Sequence, residues 1–237
     1  MSIKKTNCTA CTNGPCLIKQ HFSGKHFWQK KVTEIFVKRN KDIIHAGTVS
    51  DRNIYFIKSG AFKIYTSVGK KEKTMILRFA KAGDILGDIF SLDEILPIGT
   101  QSIEDSVVCT IENKFVNDLL KINPEFTMAL IRYYTREMQK VDKRLIIDRQ
   151  KHTTIKLAKA LLLMLESFGV NKRGVLNITL SRKDIAALTG TSYEEVSRKL
   201  STFEKQGLIG KVDKKIALLN IDELNKISNN HADNKKK

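Results

Sequence analysis

The stretch "SRKDIAALTGTSYEEVSRKLSTFEKQGLIGKVDKKIALLNI", residues 181–221, decides how the chain is read. Ser181 stands as an N-cap ahead of a first helix over 182–188, with Asp184 at the acid position of a capping box. Ala186 is small where two helices would cross, and Gly190 permits a left-handed turn. Val196 then returns to a core shared with Ile185, Leu188 and Leu200. Ser192 caps a second helix, which the spacing ends near Lys205, ahead of Gly207. This is helix-turn-helix spacing. The segment after Gly207, "LIGKVDKKIALL", reads as a two-stranded wing turning at Asp213 and Lys214.

On the second helix Val196, Leu200 and Phe203 fall on the inner face, while Glu194, Ser197, Arg198 and Ser201 fall on the outer one. An arginine so placed donates two hydrogen bonds to guanine O6 and N7, and a glutamate accepts from cytosine N4. Glu194, Ser197 and Arg198 are therefore the candidate base readers. Arg182, Lys183, Thr191, Ser192 and Lys199 are placed for phosphates, which fix register without reading sequence. The whole chain agrees in charge: 42 Lys and Arg against 25 acids give +17, with a pI near 9.7. Such a balance implies an anionic partner. An αα-hairpin with a solvated face has the same spacing, and a lysine-rich surface the same charge. Spacing, wing and charge together favour double-stranded DNA.

Upstream, "TTIKLAKALLLMLESFG" (153–169) reads as a helix ending at Gly169, and "VLNITLS" (175–181) as a strand. Farther back, Ile131, Tyr134, Met138, Val141 and Leu145 recur at alternating spacings of three and four, a seam running from about Pro124 to Asp148. A seam of that length needs a partner, either the chain's own β-domain or a second copy. Arg132, Arg136, Glu137, Lys140, Asp142, Lys143 and Arg144 occupy the other faces and favour a parallel homodimer. From about residue 32 to 112 the pattern is instead short strands separated by Gly47, Gly60, Gly69, Gly83 and Gly87, the texture of an antiparallel barrel or jelly roll.

The hydrophobic fraction of 41% and charged fraction of 28% are those of a globular protein. No apolar run is long enough for a membrane span, and the basic start lacks the apolar core of a signal peptide. A cytoplasmic location is expected, where cysteines bind metals or change redox state more often than they form disulfides. Three of the four lie in "NCTACTNGPCLI" (7–18): Cys8, Cys11 and Cys16. The fourth, Cys109, lies far along the chain in "EDSVVCTIE". Four thiolates suit an iron–sulfur cubane or a tetrahedral zinc. Bare thiols forming Cys8–Cys11 or Cys16–Cys109 would make a redox switch. Thr12, Asn13 and Gly14 offer backbone N–H groups to bound sulfide, and Lys4, Lys5 and Lys19 offset thiolate charge. His21 and His26 read as surface residues, His45 as part of the roll, and Trp28 as core. A metal held by four cysteines has no open position, and no acid, base and nucleophile converge elsewhere, so an enzyme is not expected.

The order of β-roll, long helix and winged helix-turn-helix resembles the CRP/FNR family of bacterial transcription regulators over essentially the whole chain. "DIIHAGTVSDRNIYFIKSGAFKIY" (42–65) resembles the family's β-roll signature. The E-x-x-S-R of Glu194, Ser197 and Arg198 resembles the FNR branch; the cyclic-AMP branch has R-E-x-x-G-R, where this chain has Tyr193 and Ser197 in place of the first arginine and the glycine. The resemblance implies an α+β fold: an N-terminal β-roll (cyclic-nucleotide-binding-like jelly roll), a long dimerisation helix and a C-terminal winged helix-turn-helix. It divides the chain into a cysteine-bearing sensor segment (1–31), the β-roll (32–122), the dimerisation helix (123–150), the DNA-binding domain (151–228) and a disordered basic tail (229–237). It further implies a homodimer on inverted repeats of TTGAT type, working with RNA polymerase. Cys8, Cys11, Cys16 and Cys109 would hold an oxygen-labile [4Fe–4S] cluster, with zinc or no metal as alternatives. The spacing C-x2-C-x4-C is one residue shorter than the branch's best-known form. Cyclic-nucleotide sensing is not expected: Gly87 and Asp88 imitate part of the family's ribose site, but no arginine occurs from 79 to 131 to meet the phosphate.

Overall fold

The computed structural model describes residues 3–5, 8, 11–22, 31–49, 51–68, 73–87, 95–148 and 152–229. The chain forms two compact units, Met1–Val141 and Asp142–Lys237. The expectations for Gly69, Asp88, His26 and Trp28 lie outside the described residues, as do those for the side chains of Lys4, Lys5, Asp142, Lys143, Arg144 and Leu145 and for residues 230–237 of the tail expected over 229–237, whose first residue, Asn229, instead ends a helix.

The first unit is a roll of two antiparallel sheets. One has the order β1 (Ile3–Lys5), β2 (Thr33–Val37), β9 (Ser106–Glu112), β4 (Asn53–Ser59), β7 (Ile85–Leu86). The other has the order β3 (Asp42–Ile44), β8 (Gly99–Ser102), β5 (Ala61–Val68), β6 (Lys73–Lys81). Strand β1, which lies within the expected sensor segment, is part of the five-stranded sheet. β1 pairs with β2 through Ile3↔Ile35 and Lys5↔Thr33, so the start of the chain is an edge of the sheet.

Side chains alternate across a strand, and on β4 and β9 both faces carry buried residues. On β4 and β9, Tyr55, Ile57 and Val108 point into the core between the sheets, with Phe62, Ile64 and Leu86. Ile54, Phe56, Cys109 and Ile111 point the other way, into a second core closed by helices. Those helices are α1 (Leu17–Phe22), α2 (Asn113–Ile122) and α3 (Pro124–Asp148), which supply Ile18, Phe22, Val116, Leu119, Phe126 and Leu130.

The long helix α3 has two faces. Phe126, Leu130, Tyr133 and Glu137, at spacings of four, three and four, lie against the roll. Met128, Ile131, Met138 and Val141 are exposed at 49%, 49%, 68% and 43%. Two expectations are corrected. Tyr134 is half-buried against the helical side of the roll's core and does not project with the exposed stripe. Glu137 is 6% exposed and is not a solvated charge, because Arg78 on β6 meets it as an ion pair at 2.7 Å and Lys140 at 2.5 Å.

The second unit holds α4 (Thr153–Phe168), α5 (Arg182–Thr189), α6 (Tyr193–Lys205), the hairpin of β10 (Ile209–Val212) and β11 (Lys215–Leu218), and α7 (Ile221–Asn229). The strand expected at 175–181 is reduced to single bridges, Val170↔Leu176 and Val175↔Ala217. Its backbone is engaged locally: Val175 N–H donates to the Asn171 side chain and Asn177 N–H to the Gly169 carbonyl, leaving Leu176 N–H to reach Ile216. Helix α7 is amphipathic, held by buried Leu224 and capped by Asn220.

Candidate metal centre and nucleic-acid interface

Cys8, Cys11, Cys16 and Cys109 line one cavity of ≈ 360 Å³ counted with its open mouth. None of them is in a disulfide. The sheet supplies Cys109: on β9 it stands opposite Glu34 of β2 and Phe56 of β4, on the helical face. The loop before α1 supplies the rest. Ile18, Val32, Phe56 and Ile111 make the wall apolar, while Lys19 and Lys58 bring positive charge to it.

Burial governs the thiols. It pushes Cys8 up to about 11, aided by the neighbouring thiols of Cys16 and Cys11 and by Glu34, against Lys58. Burial also raises Cys16, against backbone hydrogen bonds from Lys19 and Ile18. Thiols so held are protonated at neutral pH, so loading a cation would release protons. The donor set fits a cluster: four thiols on one apolar cavity, two lysines beside them, and the Asn13 N–H donating to Cys11 Sγ at 3.4 Å. Among the described residues no three Cys, His, Asp or Glu groups converge as the ligands of one ion would.

Several residues here escaped the sequence reading. Lys58 lines the cavity and pairs with Glu34 at 2.5 Å. The Asn13 side chain, 8% exposed, donates to the Ile57 carbonyl at 2.8 Å. Lys19 donates from Nζ to the Cys11 carbonyl, so its charge also braces the loop. His21, expected at the surface, is half-buried and meets the Phe126 ring edge-on at 5.8 Å. His45 is exposed.

In the second unit the local chemistry sets the interface. Ser181 Oγ accepts from Asp184 N–H and the Asp184 carboxylate returns to Ser181, a complete capping box. Gly190 ends α5 in the left-handed conformation at φ 66°. Ser192 caps α6 by accepting from Glu195 N–H. Val196, Leu200 and Phe203 are buried, and Glu194, Arg198 and Ser201 are exposed. Asp213, at φ 54°, turns the wing between Lys211, Lys214 and Lys215.

Some candidate contacts already have partners within the chain. Arg182 donates from Nη1 to Ser197 Oγ at 2.9 Å, tying a candidate phosphate contact to a candidate base reader. Thr191 shares a 2.8 Å hydrogen bond with Thr189. Arg198 donates to both carboxylate oxygens of Glu195, at 2.9 and 2.8 Å. Glu195 was not among the expected site residues, although its spacing of three from Arg198 on a helix is a legible signal. Lys183 is exposed and Lys199 half-buried.

Comparison with known proteins places both units. Residues 34–123 match the cyclic nucleotide-binding domain model and residues 155–227 the Crp-like helix-turn-helix domain model. The chain is 27% identical over 192 residues to the fumarate and nitrate reduction regulatory protein of Vibrio cholerae, covering 79% of this chain and 75% of that one. It is 26% identical over 232 residues to the regulatory protein HlyX of Actinobacillus pleuropneumoniae, covering 93% and 95%. The structure of FixK2 from Bradyrhizobium japonicum shares the fold with a TM-score of 0.72 at 21% identity, over 83% of this chain and 96% of that one. A roll matching one model, a capped helix pair and wing matching the other, and regulators similar across both make the chain a member of the CRP/FNR family of DNA-binding transcription regulators.

Proposed function

We propose that this regulator senses dioxygen, or nitric oxide, through a [4Fe–4S] cluster on Cys8, Cys11, Cys16 and Cys109, and binds inverted repeats of TTGAT type as a cytoplasmic homodimer that works with RNA polymerase. The observation that carries the reading is the meeting of three loop cysteines and one strand cysteine on a single cavity. Four cysteines on one apolar cavity are the ligand set of a [4Fe–4S] cluster, and a tetrahedral zinc would take the same four. The similarity to fumarate and nitrate reduction regulatory proteins favours the cluster. The exposed stripe of Met128, Ile131, Met138 and Val141 supports the homodimer, since apolar surface of this kind marks an interface.

A bound cluster would supply a tie between the cysteine loop and β9 that its oxidant removes. The chain's own residues convert that tie into a change at the long helix. Phe22, on the helix that follows Cys16, packs edge-on against Phe126 near the start of α3, ring centroids 5.1 Å apart. β9, which holds Cys109, runs directly into α2 and then α3. On α6, Arg198 offers guanidinium donors to guanine while Glu194 stands exposed beside it.

Anaerobic purification followed by iron and sulfide analysis, with visible spectra before and after air, tests the reading. The expected result is four irons and four sulfides per chain and a colour that air bleaches. One zinc per chain and no iron would sink the cluster and leave the same regulator with a zinc site. Neither metal would leave a thiol switch or a small-molecule effector in the roll.

A further inference from the structure

The cysteine loop is seated on an irregular part of the sheet. β4 and β9 shift register between Ile57 and Ser59, and the Ile57 carbonyl lies on the opposite edge of β4, facing the β6–β7 turn. That carbonyl accepts from two sources: the Asn13 side chain at 2.8 Å and the Gly83 N–H at 2.9 Å. Gly83 sits in the β6–β7 turn at φ 96°, and a Cβ there would lie 2.8 Å from Pro15 Cβ, so only glycine lets the loop come this close. The other end of the turn is held by the long helix: Ile85 N–H donates to Tyr133 Oη at 2.9 Å, and the Tyr133 hydroxyl turns back toward the Ile85 carbonyl at 3.3 Å. Ile57 N–H, donating to Asp84 O at 2.9 Å, fixes the middle.

We propose that Asn13 is the positioning residue that seats Cys11 and Cys16, and that the β6–β7 turn, gripped by Asn13 and Pro15 on one side and Tyr133 on the other, carries the loop's seating to α3. This is a route separate from the contact of Phe22 with Phe126. It predicts reciprocity: loosening either end of the turn loosens the other. Its bearing on sensing rests on the four cysteines acting as one ligand set; the seating itself does not.

The test is hydrogen–deuterium exchange on the full-length, reduced, metal-free protein. Asn13→Asp keeps the size and removes the donor to Ile57. Exchange should rise roughly two- to ten-fold at 11–16 and at 82–87, and extend to the Tyr133 turn of α3, with the helix-turn-helix unchanged. Tyr133→Phe should raise exchange at 82–87 and also at 11–16. A rise confined to the mutated side in either variant would overturn the route, as would an unchanged loop in Asn13→Asp. Anaerobic iron analysis of the same samples separates the two readings. Asn13→Asp should hold less iron per folded chain than the wild type; equal iron in both would overturn the positioning role. Wild type without iron, but with the reciprocal exchange pattern, would support the seating and refute the cluster.

Discussion

Arg198 is clasped by Glu195 before any DNA is present: one guanidinium nitrogen lies 2.9 and 2.8 Å from the two carboxylate oxygens. Arg198 in turn holds the Glu195 carboxyl below its usual range. The clasp occupies one edge of the guanidinium and leaves other donors for a base. Glu195 thus narrows the orientations in which Arg198 meets the groove. It also adds a negative charge that phosphates repel, so it trades affinity for orientation.

Glu195→Gln should therefore bind random duplex at least as tightly as the wild type, while the ratio of specific to random affinity falls by up to about ten-fold. Arg198→Ala should cost about 1–3 kcal/mol on a TTGAT-type site and relax preference at the contacted guanine. Fluorescence anisotropy on matched and scrambled duplexes at two salt concentrations reads both effects. A specificity ratio unchanged in Glu195→Gln would remove the clasp from the reading mechanism.

Arg78 and Glu137 carry a prediction about stability. Glu137 is nearly buried and Arg78 about one-fifth exposed, so removing either leaves a charge with poor solvation. Glu137→Ala should cost about 3 kcal/mol by urea unfolding. Arg78→Ala should cost less, about 1–3 kcal/mol, because Lys140 still reaches Glu137. Replacing both by methionine should be neutral or stabilising, since that removes the two desolvation penalties together. A double mutant as unstable as Glu137→Ala would contradict this account.

What the sequence made legible was local. Ser181, Asp184, Gly190 and Ser192 act within a few residues of themselves, so the helix pair could be read with its caps. The alternation around "SVVCTI" gave β9, and Cys109 follows that alternation onto the helical face. Glu137 looked like a surface charge because nothing in its own helix signals Arg78, which reaches it from β6. Lys58 follows Ile54 and Phe56 at period two onto the cavity side of β4, but its nearness to the cysteines depends on the pairing of β4 with β9, which local sequence does not signal. Asn13 was read for its backbone N–H, which does point at Cys11, but its side-chain partner lies on β4. Tertiary partners of this kind leave no periodic trace.

The exposed stripe of α3 predicts a dimer that does not need the metal. Ile131, Met138 and Val141 are apolar and outward, and no acidic side chain lies between them on that described stripe to oppose a second copy. The wild type should sediment as a dimer with or without iron. Met138→Glu should weaken the dimer on the order of 100-fold by sedimentation velocity, with unchanged circular dichroism. An iron-free wild type sedimenting as a monomer would refute the unconditional association.

Adjacent residues of β9 separate metal binding from folding. Cys109 faces the helical side and the cavity, whereas Val108, fully buried, faces the core between the sheets. Cys109→Ser nearly preserves volume, so the roll should change in stability by no more than about 1 kcal/mol. It should nonetheless lose most of its iron, because the loop cysteines alone leave one corner of the cluster without a ligand. Val108→Ser should do the opposite: a cost of about 2–4 kcal/mol from lost packing and a buried hydroxyl, with the iron-to-protein ratio of the folded fraction unchanged. The two measurements, urea unfolding and anaerobic iron analysis on the same samples, distinguish a ligand from a core residue one position away. Iron retained by Cys109→Ser at the wild-type ratio would take the strand cysteine out of the site.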